Sequence, residues 1–172
     1  ERGQGGDTRC QHSQRHSETA TEFLNDSFIQ EIADEYSNCS WAKRVLFNVV
    51  KYEPNKIIDS GGGWHVDSEW DHQFKSVLYL NDVKSDTGPL MFVPRSRSIV
   101  KELPKYSNYR ILETTIHQNF SNDGIVEITG TAGTCILLDS TYIHRGKQIE
   151  GGTRYAFTTY FYPKEAAEHD NY

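Results

Sequence analysis

Two histidines and one aspartate carry the most chemistry in this chain. His65 and Asp67 stand two apart, directly after the glycine run Gly61-Gly62-Gly63 and Trp64. Residues i and i+2 of an extended strand point to the same face, so an imidazole and a carboxylate at this spacing converge on one point. A His-x-Asp tripeptide is common and specifies little by itself. The sequence supplies a third group in His144, within Asp139-Ser140-Thr141-Tyr142-Ile143-His144-Arg145-Gly146. Two histidines and one carboxylate form the facial triad that holds non-haem Fe(II) and leaves positions open for other ligands. An aspartate, rather than an uncharged residue that would free a site for halide, favours hydroxylation over halogenation.

Arg154 follows His144 by ten residues, beyond the turn signal Gly151-Gly152. An outgoing strand and an antiparallel return would bring Arg154 back to the depth of the metal. A guanidinium grips a carboxylate with two parallel hydrogen bonds, which a lysine cannot do as a fork. The expected ligand is a dicarboxylate chelating iron through its 2-oxo acid end and held by Arg154 at the other. Thr158 falls on the same face of that strand and is expected to support the same carboxylate.

These residues and the segments Tyr79-Leu80-Asn81-Asp82 and Thr87-Gly88-Pro89-Leu90-Met91-Phe92-Val93-Pro94-Arg95-Ser96 resemble the Fe(II)/2-oxoglutarate-dependent dioxygenases. The closest branch is the phytanoyl-CoA dioxygenase-like family, where a Gly-Pro-Leu then Pro-x-Ser segment follows the iron-binding His-x-Asp. The resemblance covers about 45 to 162. It implies a mainly β fold, a double-stranded β-helix (a cupin-like jelly roll). It also implies iron ligation by His65, Asp67 and His144, and binding of the 2-oxoglutarate C5 carboxylate by Arg154. The Tyr52-Glu53-Pro54 turn is similar to a segment of prolyl 4-hydroxylases, which implies a 2-oxoglutarate contact for Tyr52. The implied cofactor and co-substrates are Fe(II), 2-oxoglutarate and O2, and the implied reaction is hydroxylation of an unactivated C–H bond with release of succinate and CO2. One departure is Arg97, where the family's Pro-x-Ser segment usually continues with histidine.

Trp64, Trp70, Gln73 and Arg145 flank the ligands and are the candidates for lining a substrate pocket. The substrate is expected to be a small molecule or a peptidyl side chain. A rival from another class is a jelly-roll binding module that kept the fold without the chemistry, and fold alone does not separate the two.

The rest of the chain must position these groups. Its 172 residues are enough for one sizeable core, and 12% aromatic content argues against disorder. A formal net charge of -6, with basic residues scattered, offers no nucleic-acid face, and no apolar run approaches the roughly 20 residues of a membrane helix. Three widely spaced cysteines, Cys10, Cys39 and Cys135, form no obvious disulfide framework and fit a cytoplasmic setting. Cys135, inside Thr134-Cys135-Ile136-Leu137-Leu138, is expected to be buried.

Residues 1 to 16 are polar and glycine-rich and read as an arm, leaving 17 to 172 as a single oxygenase domain. Phe23, Leu24, Phe28, Ile32 and Tyr36 recur at helical spacing, predicting one supporting helix over about 17 to 37, capped by Ser17 or Thr19. Strands are predicted at 45 to 52, 74 to 80, 90 to 93, 124 to 129, 134 to 138, 142 to 146 and 154 to 162, each bounded by turn residues. The stretch 96 to 120 has no clean period and reads as a long excursion with a short helix near 98 to 103.

Overall fold

Alternation along the strands decides the layering. The computed structural model describes residues 6–54, 62–67, 73–107 and 109–164. Ten strands are assigned among them: β1 (Asp7–Cys10), β2 (Trp41–Lys51), β3 (Phe74–Tyr79), β4 (Leu90–Phe92), β5 (Lys105–Ser107), β6 (Arg110–Ile111), β7 (Val126–Ile128), β8 (Cys135–Asp139), β9 (His144–Gly146) and β10 (Thr153–Pro163). The larger sheet has the order β1-β2-β10-β3-β8, and its paired strands are antiparallel. The smaller sheet runs β7-β4-β9. Isolated bridges from His65 to His144 and to Arg110 connect it to the β5-β6 hairpin. Two facing antiparallel sheets of this kind make the expected jelly roll.

On β2 and β10 the odd and even positions part company. Val45, Phe157 and Phe161 turn outward to meet the helices in two buried clusters, with Ala20 in one and Ile29 and Ala33 in the other. Asn48, Val50, Arg154, Ala156 and Thr158 turn inward and line a cavity between the sheets. On the smaller sheet, Trp64 and Val66 face away from that cavity. They pack with Val93, Ile111, Ile116 and Ile143 in a cluster closed by the 96 to 120 segment. His65, between them in sequence, points the other way, into the cavity.

Several expectations need correction. The supporting helix is two helices, α1 (Glu18–Leu24) and α2 (Ser27–Tyr36). Asn25 closes the first. Asp26 caps the second, its carboxylate accepting from the Ile29 N–H at 2.9 Å, and an aspartate used this way starts a new helix rather than continuing an old one. Ser17 caps α1 as expected, accepting from Ala20 N–H.

The polar N-terminal residues are not all a loose arm. Residues 7 to 10 pair with β2 in the register Asp7↔Val50 to Cys10↔Phe47, so the larger sheet gains an edge strand. The 96 to 120 segment holds a 3-10 turn at Ser96–Ser98, the β5-β6 hairpin and α3 (Glu113–Asn119). Cys135 is exposed, because β8 turns its odd positions to the outside, and all three cysteines are free. Among the described residues no helix is long and apolar enough to cross a membrane.

Candidate metal and 2-oxo acid site

His65 and His144 are cross-strand partners. Each donates its backbone N–H to the other's carbonyl, at 3.0 and 2.9 Å, which makes them a hydrogen-bonded antiparallel pair with both side chains on one face. Asp67, two residues on, is held by its N–H to the Ser140 carbonyl at 3.2 Å. The turn that delivers His144 is fixed by the Pro94-Arg95-Ser96 segment. Ser96 is fully buried, and its hydroxyl accepts from the Ile143 N–H at 2.8 Å.

The rings are oriented as metal ligands require. His65 Nδ1 bonds the Gly63 carbonyl at 2.7 Å, and His144 Nδ1 bonds the Tyr142 carbonyl at 2.9 Å. A carbonyl only accepts, so each Nδ1 carries the proton and each Nε2 is left with a bare lone pair. Both Nε2 atoms lie 3.7 Å from Asp67 Oδ1, too far for a hydrogen bond, with the ring centroids 4.4 Å apart. His144 Nε2 is buried without a partner. Three donor atoms therefore converge within 4.8 Å of one another.

The charge states agree. Burial pushes the His65 ring down to about 3, and the neighbouring His144 adds to the fall. Burial also lowers His144, against the pull of Asp67. For Asp67, burial alone would raise the carboxyl. The Lys75 ammonium and the two imidazoles outweigh it and hold the group below the usual carboxylate range. Two neutral imidazoles and one carboxylate are the deprotonated state that a metal needs.

Lys75 divides the carboxylate. It lies on β3 with its side chain buried, its ammonium paired with Asp67 Oδ2 and 4.6 Å above the Tyr160 ring centroid. Oδ1 is left facing the two imidazoles. A cation over a ring face gains from the ring's quadrupole, which holds the ammonium in place from behind.

Arg154 sits on β10 opposite Val50 of β2. Its guanidinium donates to the carbonyl of Gly88 and, at 3.3 Å, to Asn48 Oδ1. Gly88 has φ +74°, a left-handed conformation that admits glycine without strain, so the Thr87-Gly88-Pro89 turn can aim its carbonyl at the arginine. Asn48 in turn donates to Asp7, which is buried on β1. Arg9 closes the far side of that carboxylate at 2.9 Å. Burial lowers the Arg154 guanidinium, yet a group that titrates so high stays protonated at neutral pH.

His65, Asp67, His144, Arg154 and Thr158 all line one cavity of about 310 Å³. Thr158 stands four residues from Arg154, roughly 13 Å along a strand, so it reaches the cavity at a different depth and not beside the guanidinium. Tyr52 lies past the end of β2, exposed and outside the cavity lining. Trp64 is buried in the outer cluster, with the Arg145 guanidinium 4.3 Å over its ring, and Arg145 also pairs with Glu113. Gln73 is buried beneath the 139 to 141 turn, its carbonyl accepting from Ser140 N–H. None of these three lines the cavity: strand alternation turns Trp64 and Arg145 away from it, while Gln73 lies before the start of β3 under the 139 to 141 turn. Trp70 lies outside the described residues.

Sequence reasoning missed Lys75, Asn48, Asp7, Arg9, Tyr79 and Arg110, all of which line the cavity. For Lys75 the signal was available: a lone lysine on the inward register of an otherwise apolar strand.

A family model, phytanoyl-CoA dioxygenase (PhyH), matches residues 2–154. The chain belongs to the phytanoyl-CoA dioxygenase family. That model takes in all four of His65, Asp67, His144 and Arg154, together with β1. No curated protein sequence matches the chain.

Among solved structures, this family member is similar to the epimerase SnoN from nogalamycin biosynthesis in complex with Fe3+, alpha ketoglutarate and nogalamycin RO. The TM-score is 0.65 at 15% identity, covering 91% of this chain and 63% of that one. HygX from Streptomyces hygroscopicus with nickel, 2-oxoglutarate and hygromycin B bound gives 0.64 at 12% identity, covering 93% and 71%. These likenesses show the shared fold. The chain spans about three-fifths of the length of the SnoN chains it matches.

Proposed function

We propose that this chain is an Fe(II)- and 2-oxoglutarate-dependent dioxygenase that hydroxylates an unactivated C–H bond of a small-molecule or peptidyl substrate, releasing succinate and CO2. The observation that carries this reading is the convergence of two bare Nε2 atoms and one carboxylate oxygen, with both tautomers fixed by backbone carbonyls. His65, Asp67 and His144 would hold the metal. Imidazole and carboxylate donors suit ferrous iron, and three protein ligands leave positions free. When bound, the iron supplies oxygen activation coupled to oxidative decarboxylation of 2-oxoglutarate.

The protein's own share is positioning and exclusion of water. Arg154, presented by the Gly88 carbonyl and Asn48, would take the distal carboxylate of 2-oxoglutarate as a fork. Lys75 keeps Asp67 Oδ2 occupied, so that Oδ1 alone serves the metal. The buried apolar residues Leu138 and Ala156 line the cavity and keep bulk water from its floor. The family membership and the iron- and 2-oxoglutarate-bound neighbours of the same fold support the reading. The free state of all three cysteines fits a cytoplasmic location.

Anaerobic titration of the metal-free protein with Fe(II) and 2-oxoglutarate tests this. The expected result is a visible metal-to-ligand charge-transfer band, absent in His144→Ala. Arg154→Gln should weaken 2-oxoglutarate at least tenfold with little change in metal affinity. A wild-type protein that binds neither ligand below millimolar concentration would overturn the assignment and leave a jelly-roll binding module.

A further inference from the structure

Among the described residues five cations line the cavity: Arg9, Lys75, Arg110, Lys147 and Arg154. Three have acidic partners, Arg9 with Asp7, Lys75 with Asp67 and Lys147 with Glu127. Among the described residues Arg154 donates only to neutral oxygens. Arg110 has no hydrogen-bond or ion-pair partner for its guanidinium among the described residues, and its Nη1 is shielded from solvent. A shielded guanidinium nitrogen with nothing to donate to is costly to leave unmet. Among the described residues, two of these cations therefore stand without a counter-charge. On the reading proposed above, the distal carboxylate of 2-oxoglutarate takes only Arg154.

The backbone puts Arg110 beside the metal ligands. The hydrogen bonds Ile111 N–H to Trp64 carbonyl and Val66 N–H to Tyr109 carbonyl flank the His65↔Arg110 bridge, which makes it a non-hydrogen-bonded antiparallel pair. Side chains of such a pair stand closest, with Cα atoms about 4.5 Å apart. Arg110, His65 and His144 thus form one cross-strand row on the inner face, with Arg110 flanking His65 on the side away from His144. Tyr109 enters this register with φ +66°, a left-handed conformation that costs a residue of its size on the order of 1 kcal/mol or more.

We propose that Arg110 binds an oxyanion, a carboxylate or a phosphate, of the primary substrate, and so holds it against the open side of the metal. This rests on the oxygenase reading and names the class of substrate it acts on. A planar fork suits either oxyanion.

The test uses protein loaded with Ni(II) and saturating 2-oxoglutarate, which cannot turn over. Butyrate, its neutral analogue butyramide and inorganic phosphate are titrated as probes, with binding read by calorimetry. At least one anion should bind at least fivefold tighter than butyramide, and whichever anion is preferred distinguishes a carboxylate from a phosphoryl substrate. Arg110→Gln should abolish that preference while leaving Ni(II) and 2-oxoglutarate affinities within twofold. Arg110→Lys should keep part of it, and it decides the question if the glutamine variant does not fold.

Equal binding of the three probes to wild-type protein overturns the proposal, as does an anion preference that survives in Arg110→Gln. Loss of 2-oxoglutarate rather than probe binding also overturns it. If Ni(II) and 2-oxoglutarate do not bind at all, the oxygenase reading falls. The same probes on metal-free Arg154→Gln protein, with and without Arg110→Gln, then still measure the Arg110 site alone.

Discussion

Replacing Lys75 with methionine separates two jobs that the site gives to one carboxylate. Lys75 and Asp67 are a buried pair, their side chains only 8% and 15% exposed. Methionine has nearly the volume of lysine without the charge, so packing under Tyr160 is largely kept. Removing one partner of a buried pair strands the other and costs about 3–5 kcal/mol. In a domain of this size each kcal/mol shifts the midpoint by about 2–4 °C, so metal-free Lys75→Met should melt roughly 6–20 °C below wild type. A divalent ion replaces the missing charge at Asp67. With saturating Ni(II), the deficit should therefore shrink to a few degrees, and Ni(II) should bind the variant at least as tightly as wild type because a competing cation is gone. Differential scanning fluorimetry and calorimetric metal titration measure both quantities. An equal deficit with and without metal would refute the reasoning and make Lys75 a packing residue. Weaker metal binding in the variant would refute it in another way, showing that the ammonium serves mainly to aim Asp67.

Three further outcomes follow from the geometry. Asn48→Leu removes the acceptor from Arg154 and the donor to Asp7, so 2-oxoglutarate affinity should fall roughly tenfold and stability by about 1–3 kcal/mol, read by calorimetry and urea denaturation. Ser96→Ala strips the buried Ile143 N–H of its acceptor, again worth about 1–3 kcal/mol, and the loosened turn before His144 should weaken metal binding while 2-oxoglutarate contacts at Arg154 persist. The pH dependence has a definite sign. His65 and His144 titrate lower in the folded state, His65 at about 3, so below about 6.5 the unfolded chain binds protons that the fold refuses, and stability falls with pH. From pH 7 to pH 5 the His65 ring should cost about 2 kcal/mol, and His144 should add to the loss in the same direction. A flat urea midpoint over that range in metal-free protein would contradict their burial.

Local chemistry was legible in the sequence where residue type and strand period act together. His65, Asp67 and His144 are recognisable because alternation puts i and i+2 on one face, and the structure brings the three together. Arg154 reaches the same cavity by another route than the expected antiparallel return: β10 pairs with β2 and β3 rather than with β9, so the arginine comes from the facing sheet. The failures have physical causes. Trp64 and Arg145 neighbour the ligands in sequence, and the same alternation that points a ligand inward points its immediate neighbour outward; Gln73 has the inward parity of Lys75 but precedes β3 and is tied under the 139 to 141 turn. Distance along the chain was thus a poor guide to distance from the metal. Arg110 and Asn48 were invisible because their meaning lies in cross-strand register, to His65 and to Arg154, and register is a non-local property. The helix break at Asn25-Asp26 was overlooked because the apolar period carries across it; only the capping role of Asp26 betrays it. β1 was missed because an edge strand with one half-buried face needs little hydrophobic patterning. Its buried member is Asp7, a charge tolerated only through its bonds to Asn48 and Arg9.

The distribution of these groups over the two sheets gives the site its logic. His65, His144 and Arg110 form a row on the smaller sheet, while Arg154, Asn48 and Lys75 project from the larger one. Facing sheets pack about 10 Å apart, a gap that a five-carbon diacid bridges when one end meets the metal and the other a guanidinium. Asp67 is the one metal-ligand candidate tied to both layers, with Oδ1 turned toward the imidazoles and Oδ2 toward Lys75. Any motion that separates the sheets must stretch that ion pair, so the spacing that a bridging ligand requires is set before it arrives. Preorganisation of this kind lowers the ordering cost of binding. It also explains why a buried lysine, expensive by itself, is placed against a carboxylate that a metal would otherwise have to itself.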